Sequence, residues 1–466
     1  MSTFSGLQVA ASGLAAARAG MNLTGQNIAN ETTPGYTRQR LEQTAVSPAG
    51  TASAWARGIG GGVSIDGVAR LGDEILDARV RDALSASGLW SVRAAAAAAV
   101  EKSTAEPSTD GLSAGLGRFW AAWSDLANTP EPATAQVVLT DAGALAARIA
   151  AGYDEVAGQW SATRDQLDRD VAAVNVTAAQ VAALNGQIRS ALQSERGANE
   201  LIDQRNLLAQ KLSAAVGATG RVEDDGTMTL RVDGNALVAG DTSRSLSVSG
   251  PRDMTTAGPI TLAWVDRPDL SLALTGGSVG GTIGVLAPAA EQGTLAVAAR
   301  AYDEVAVSLA QAVNEVHRGG RTASGVAGGD VFTFAAGVPA ARGLRVAITA
   351  VDQLALSAPG AGPKDTSVAD RLSQLDTSTT GPDAAWSRFV VGFGVSVAGD
   401  LQRADAADRA AIAALSGQQS TASVDGDEET ITLLTYQTAY QAAARVLTAV
   451  DEALDVLINR VGLVGR

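Results

Sequence analysis

The sequence predicts an α+β protein: a terminal α-helical coiled coil, a mostly helical middle domain and an inserted antiparallel β region, nested into an elongated multidomain subunit. Three observations carry that reading. Both ends are written in a seven-residue apolar repeat, residues 72–215 keep a helical period, and residues 216–283 switch to a period of two. With 466 residues and 46% hydrophobic content the chain can bury a core in each of about two to four domains.

At the N-terminus Leu7, Leu14, Met21 and Ile28 recur every seventh position, with Phe4 and Ala11 in the intervening slot. At the C-terminus Leu433, Tyr436, Tyr440, Ala443, Leu447, Val450, Leu454, Leu457, Val461 and Val464 fall on alternating steps of three and four. A strict heptad keeps one apolar seam facing a partner helix. Neither seam buries itself alone, so the two ends pair with each other or with neighbouring subunits. The terminal helices are therefore expected to be largely disordered in the free monomer and to order on association. The stretch 433–464 would make a helix roughly 48 Å long.

Between these ends the elements follow in order. Residues 1–30 read as one amphipathic helix, stopped at Thr33-Pro34-Gly35-Tyr36, where proline disfavours a helical predecessor and glycine permits a turn. Residues 37–70 read as extended, with Gly58–Gly62 a loop before alternation at Val63, Ile65 and Val68. Ile75, Arg79, Asp82 and Ala94–Val100 continue one long helix to a break near Pro107. A second helix begins near Ser113, with Leu116, Phe119, Trp120 and Trp123 on its apolar face, and ends at Pro130 and Pro132. A helix over 133–152 leads into a longer one through Trp160, Leu167, Val171, Val181 and Leu192, and Asn199 is the expected N-cap of a last short helix.

Met228, Leu230 and Val232 then alternate with polar residues between Asp225-Gly226 and Asp233-Gly234, a hairpin signal. Ile260, Leu262, Leu270, Leu272 and Leu274 continue the pattern. A helix over 287–316, a smaller β patch at Val331–Phe334 and Leu344–Ile348, and a linker at 357–367 come next. A helix over 383–415 and a polar break from Ser416 to Asp427 precede the terminal heptads, with Glu428 and Glu429 placed to favour the helix start through its dipole. The expected domains are 1–36 with 425–466; 37–215 with 284–324 and 380–424; the β region 216–283; and an outer patch and linker at 325–379.

The formal charge of −14 and the lack of any Lys or Arg run argue against nucleic acid and against an anionic membrane surface. We found no stretch of about 18 apolar residues suited to a membrane span. The absence of cysteine excludes disulfides and thiolate metal sites. Scattered carboxylates with one histidine lack the spacing of a metal site, and no cofactor is expected. Gly276-Gly277-Ser278-Val279-Gly280 matches a nucleophile elbow, and Asp303 and His317 follow in hydrolase order. No parallel βαβ repeat surrounds Ser278, so a secreted serine hydrolase stands only as the alternative from a different class. The tryptophans, Trp90 among them, fall on helical apolar faces and read as core.

The run Asn27-Ile28-Ala29-Asn30-Glu31-Thr32-Thr33-Pro34-Gly35-Tyr36 resembles the N-terminal signature of the axial proteins of the bacterial flagellum, the rod, hook and junction proteins. Tyr436-Gln437-Thr438-Ala439-Tyr440 to Leu447 is similar to the closing helix of that family. Within it, Asn199 to Arg205 with Val216-Gly217, Thr275 to Gly281 and Val313 to His317 resemble the junction proteins between hook and filament. The chain is short for that resemblance, and the shortfall falls around 325–370.

The resemblance implies a non-enzymatic, self-assembling junction subunit outside the cell, exported by the flagellar route without a cleaved signal peptide. The alternative within the family is a hook or distal rod protein. Implied partners are copies of itself, the hook protein, the second hook-filament junction protein, and an export chaperone on the C-terminal helix. The residues expected to make the assembly interface are Leu7, Leu14, Met21, Ile28, Asn27, Asn30, Pro34, Gly35 and Tyr36, with Tyr436, Tyr440, Leu447, Val450, Leu454 and Leu457.

Overall fold

The computed structural model describes residues 3–47, 60–362, 364–456 and 458. Gly58, Ile59, Leu457, Val461 and Val464 lie outside the described residues, as does the side chain of Phe4.

The fold is α+β. Helix α1 (Thr3–Ala29) is followed by an antiparallel hairpin of β1 (Gln39–Ala45) and β2 (Val63–Arg70). Three helices follow: α2 (Glu74–Thr104), α3 (Leu112–Asn128) and α4 (Pro132–Gln193). Asp73 caps α2 by accepting from the amides of Ile75 and Leu76. α4 is one helix of 62 residues, not the two that the sequence reading divided near 152. No proline interrupts it, and Gly152 is kept small by packing instead: a Cβ there would lie 2.4 Å from the Tyr302 ring.

Next come α5 (Asn199–Val216) and seven strands: β3 (Thr219–Val222), β4 (Met228–Val232), β5 (Asn235–Ala239), β6 (Thr242–Ser243), β7 (Leu246–Ser249), β8 (Thr261–Trp264) and β9 (Arg267–Ser271). They form two sheets, ordered β3-β4-β5-β6 and β7-β8-β9. The β4–β5 turn places Asp233 and Gly234 at φ of 49° and 74°, the left-handed pair that a type I′ hairpin requires. Ala198, not Asn199, is the N-cap of α5; the Asn199 side chain instead donates to Gln39 and to the carbonyl of Val68.

The chain continues through α6 (Gly277–Leu286), α7 (Thr294–Arg318), β10 (Arg321–Thr322), β11 (Phe332–Phe334), α8 (Ala340–Gly343), β12 (Leu344–Val346), β13 (Ala355–Ser357), α9 (Ser367–Ser373), α10 (Pro382–Ala422) and α11 (Gly426–Asp455). β11 pairs with β12, and β10 with β13, all antiparallel. α9 was not foreseen; its Val368, Ala369 and Leu372 are buried under the outer patch. The polar break expected over 416–427 narrows to Ser423–Asp425: α10 continues to Ala422, and Gln418 bonds Asp77 of α2.

One hydrophobic core runs from Val100 through α3, α4, α7 and the β sheets to Trp386. Trp123, Trp264 and Trp386 are fully buried in it, and Trp90 lies under the guanidinium groups of Arg93 and Arg403. Neither α1 nor α11 contributes to this core. α2 is apolar and long enough to cross a membrane by composition, which the sequence reading overlooked. Its alanine run Ala94–Ala99 supplies that character, and α10, α6 and α5 pack against it.

Candidate assembly site at the terminal helix pair

α1 and α11 pair antiparallel within the chain. One column of α1 that faces α11 is small: an added Cβ would meet Val450 at 3.6 Å from Gly6, Ala443 at 3.9 Å from Gly13, and the Tyr436 ring at 2.4 Å from Gly20. One heptad further, Asn27 meets Glu429. Each step of seven on α1 is thus matched by a step of seven on α11, which is the register of a true heptad pair.

The leucine column foreseen as the seam lies one residue, about 100° of helix, to the side. Leu7, Leu14, Met21 and Ile28 are all half-buried. On α11, Leu433, Tyr436, Tyr440, Ala443, Leu447, Val450 and Leu454 are likewise half-buried, and Glu429 is its one buried residue among those described. The glycines lie beside that column, on a face of α1 that also buries Ala10, Ala17 and Leu23. The opposite side of α11 also carries exposed apolar groups, Ile431 at 65% and Leu434 at 57%.

A polar joint closes the base of the pair. Asn27, 2% exposed, uses its whole amide. Its Nδ2 donates to the Gln39 carbonyl at 2.9 Å and to Glu429 Oε2 at 3.1 Å. Its Oδ1 accepts from the Gln39 amide at 3.1 Å and the Tyr36 hydroxyl at 2.9 Å. Arg38 Nε donates to Glu429 Oε1 at 2.7 Å and its Nη1 to Glu428 at 2.8 Å. Burial works against the Arg38 charge, but the two carboxylates outweigh it and hold its pKa above the usual value. Burial first, then the charges of Glu200, Asp203 and Glu429, push the Tyr36 hydroxyl up to about 12, so it stays a donor to Asn27.

Asn30 closes α1 by donating to the Gln26 carbonyl and accepting from Thr33. Gly35, at φ of 80°, makes the turn that Pro34 introduces, and lies against Leu207 of α5. The joint is tied to the body by the Thr37 amide on Asp203, the Arg38 amide on the Ala422 carbonyl, and Gln26 on Glu200. Asp425 caps α11 by accepting from Asp427 and Glu428; Glu429 turns inward and does not act merely on the helix dipole. The sequence reading missed Arg38, Gln39 and Glu429. Glu429 could have been found, since it stands seven residues before Tyr436 in the same register.

A family model described as the flagellar hook-associated protein FlgK helical domain matches residues 97–332. The chain is 30% identical to flagellar hook-associated protein 1 of Bacillus subtilis, over the full length of both chains. The chain belongs to the flagellar hook-associated protein 1 family. The member from Salmonella typhimurium is also 30% identical, over 70% of this chain and 58% of its own length. A model of the flagellar basal body rod FlgEFG C-terminal segment matches residues 415–460. The solved hook junction protein FlgK of Burkholderia pseudomallei shares the fold at a TM-score of 0.61 and 16% identity, over 73% of this chain and 99% of that one.

As a hook-associated protein 1 family member the chain is a structural protein of the flagellar hook-filament junction and not an enzyme. The side chains of the hydrolase alternative are engaged elsewhere. His317 is fully buried, and its Nδ1 donates to the Gly329 carbonyl while its Nε2 accepts from the Ala355 amide, both at 2.8 Å. Asp303 accepts from the Ala341 amide. The only histidine is therefore committed to holding backbone and faces neither Ser278 nor Asp303.

Proposed function

We propose that this hook-associated protein 1 family member polymerises through its terminal pair into the short zone between hook and filament. The observation that carries it is the half-finished burial of α1 and α11: two heptad helices pair, yet every described apolar seam residue of α11 keeps part of its surface in water. Leaving such side chains half-exposed forfeits on the order of 1 kcal/mol each, which neighbouring subunits recover. The pair stands outside the body's core, so it can be buried by neighbours without unpacking α2 to α10. Leu7, Leu14, Met21 and Ile28 on one helix, with Leu447, Val450, Leu454 and Leu457 on the other, are assigned to that packing. Asn27, Asn30, Pro34, Gly35 and Tyr36 serve it from within, by setting the direction in which the pair leaves the body.

The hook protein below, the second hook-filament junction protein above, and an export chaperone that covers α11 before assembly complete the set of partners. The subunit works outside the cell. The rod-type match at 415–460 suits any axial protein, whereas the helical-domain match at 97–332 favours the junction role over hook or rod. Replacing Leu447 and Leu454 together with Asp should abolish chaperone capture and incorporation into hook-filament junctions. Incorporation of that doubly charged variant at wild-type levels would refute the proposal.

A further inference from the structure

We infer that the start of α5, residues 199–206, is a polar socket that seats the arm (the β1–β2 hairpin with the loop leading into it) and couples that seat to the β3–β4 turn. The socket rests on intramolecular geometry and goes beyond the assembly reading above. Only the use of a seated arm, to give the terminal pair its direction, depends on that reading.

The run Asn199-Glu200-Leu201-Ile202-Asp203-Gln204-Arg205 is marked in the sequence, and apolar packing accounts for only part of it. Leu201 and Ile202 cover a small cluster at Ile188 and Ala191, and Leu212 carries α5 into the main core. The polar residues have other partners. Asn199, Asp203 and Asn206 stand at steps of four and three, on one face of the helix. Asn199 Nδ2 donates to Gln39 Oε1 and to the Val68 carbonyl, both at 3.1 Å. Glu200 accepts from Gln39 at 3.0 Å and from Gln26 of α1 at 2.6 Å. Asp203, 5% exposed, accepts from the Thr37 amide at 2.9 Å and from Arg70 Nε at 2.5 Å. The arm is thus held where it enters, at Thr37 and Gln39, and where it leaves, at Val68 and Arg70. Among the described residues, none in β1 or β2 belongs to an apolar core cluster. Polar bonds, not core packing, fix β1 and β2 on α5.

The same stretch of α5 reaches the β region. Arg205, 2% exposed, donates from Nη1 to the Gly226 carbonyl in the β3–β4 turn at 2.6 Å. Its Nε and Nη2 donate to Asn206 Oδ1 at 3.3 and 3.2 Å. Asn206 Nδ2 donates to Asp77 of α2 at 2.9 Å, and Asp77 also accepts from Gln418 of α10 and faces Arg70 at 3.9 Å. Arg70 returns to Asp203, which closes the path. Asp77, Asp203, Arg205 and Asn206 are buried, so a member that loses its partner carries an uncompensated desolvation cost. Apolar contact weakens gradually as area is lost. A closed set of buried polar bonds is kept or lost together. The arm therefore seats or leaves as one piece, and its seating is felt at the β3–β4 turn. Asp203 and Arg205 are positioning residues in this scheme.

Hydrogen exchange on the full-length monomer tests this. In the unmutated chain, amides at 39–45 and 63–70 should be protected. Asp203→Ala should speed their exchange at least about tenfold and leave α4 amides around Trp160 to Val181 unchanged. Asp203→Asn should recover part of the protection, because an amide oxygen still accepts from Thr37. Arg205→Gln should speed arm exchange at least about threefold, although Arg205 bonds no residue of the arm among those described. Should Asp203→Ala fail to fold, Arg70→Gln reads the same seat from the arm's side, with the same expectation. An arm unprotected in the unmutated monomer, or indifferent to Asp203→Ala or to Arg70→Gln, would overturn the socket. An arm indifferent to Arg205→Gln would overturn its coupling to the turn. Incorporation of the Leu447, Leu454 doubly charged variant into junctions would instead sink the assembly reading and leave these rates as they are.

Discussion

The glycine column of α1 makes one prediction that separates packing from helix propensity. Gly13→Ala and Gly20→Ala are the same chemical change in the same heptad column of the same helix. Each gains about 1 kcal/mol of intrinsic helix stability over glycine. They differ in what the new methyl meets. At Gly13 it lies 3.9 Å from the Ala443 side chain, ordinary contact; at Gly20 it lies 2.4 to 2.6 Å from three atoms of the Tyr436 ring. The ring must move off the seam, and overpacking of that kind costs about 1–3 kcal/mol. The two variants should therefore diverge by about 1–3 kcal/mol, with Gly13→Ala equal to or above the parent protein. Exchange rates of amides near Tyr436 in the monomer read this directly, as a roughly 5- to 150-fold difference between the variants. Adding Tyr436→Ala should erase most of the Gly20→Ala penalty, because the clashing ring is gone. Equal behaviour of the two glycine variants, or no relief from Tyr436→Ala, would show that the helices do not meet along this column.

Two further predictions concern the body. Burial lowers the pKa of His317, and its Nε2 must stay unprotonated to accept from Ala355. The folded state thus prefers the neutral ring: the contribution is complete above the ordinary value near 6.5 and is lost as pH falls towards the folded pKa. Urea unfolding should show a loss between pH 7 and 5.5 of at most about 1.4 kcal/mol per pH unit from this group, and His317→Gln should flatten that part of the profile; an unchanged slope would remove the assignment. Asn185, fully buried, donates to the carbonyls of Met228 and Gly240 and accepts from the Met228 amide, so it pins β4 and the β5–β6 turn to α4. Asn185→Ala should cost about 2–4 kcal/mol by orphaning those groups and should raise exchange in β4 and β5 first; a change in melting behaviour without loosening there would refute the role.

The type of nearly every long element was legible in the sequence, because helix and strand periods are local. The hairpin at Asp233-Gly234 was legible for a similar reason, since its dipeptide meets a backbone requirement that few others satisfy. Local signals misled where partners lie far off in the sequence. Ser416 to Ala422 is polar yet helical, with Gln418 bonded to Asp77 of α2, and Asn199 is bonded to Gln39 and Val68 of β1 and β2.

The sequence alone also determined that both ends carry heptads, that nothing in the charge favours nucleic acid, and that residues 27–36 end a helix in a tight turn. Only the tertiary structure decided that Gly6, Gly13 and Gly20 face α11, since glycines leave no hydrophobic mark to count. It alone decided that Asn27, with Tyr36 bonded to it, points into a joint within the chain, because the Asn27 partner Glu429 stands 402 positions away and is brought within hydrogen-bond distance only when α1 and α11 pair.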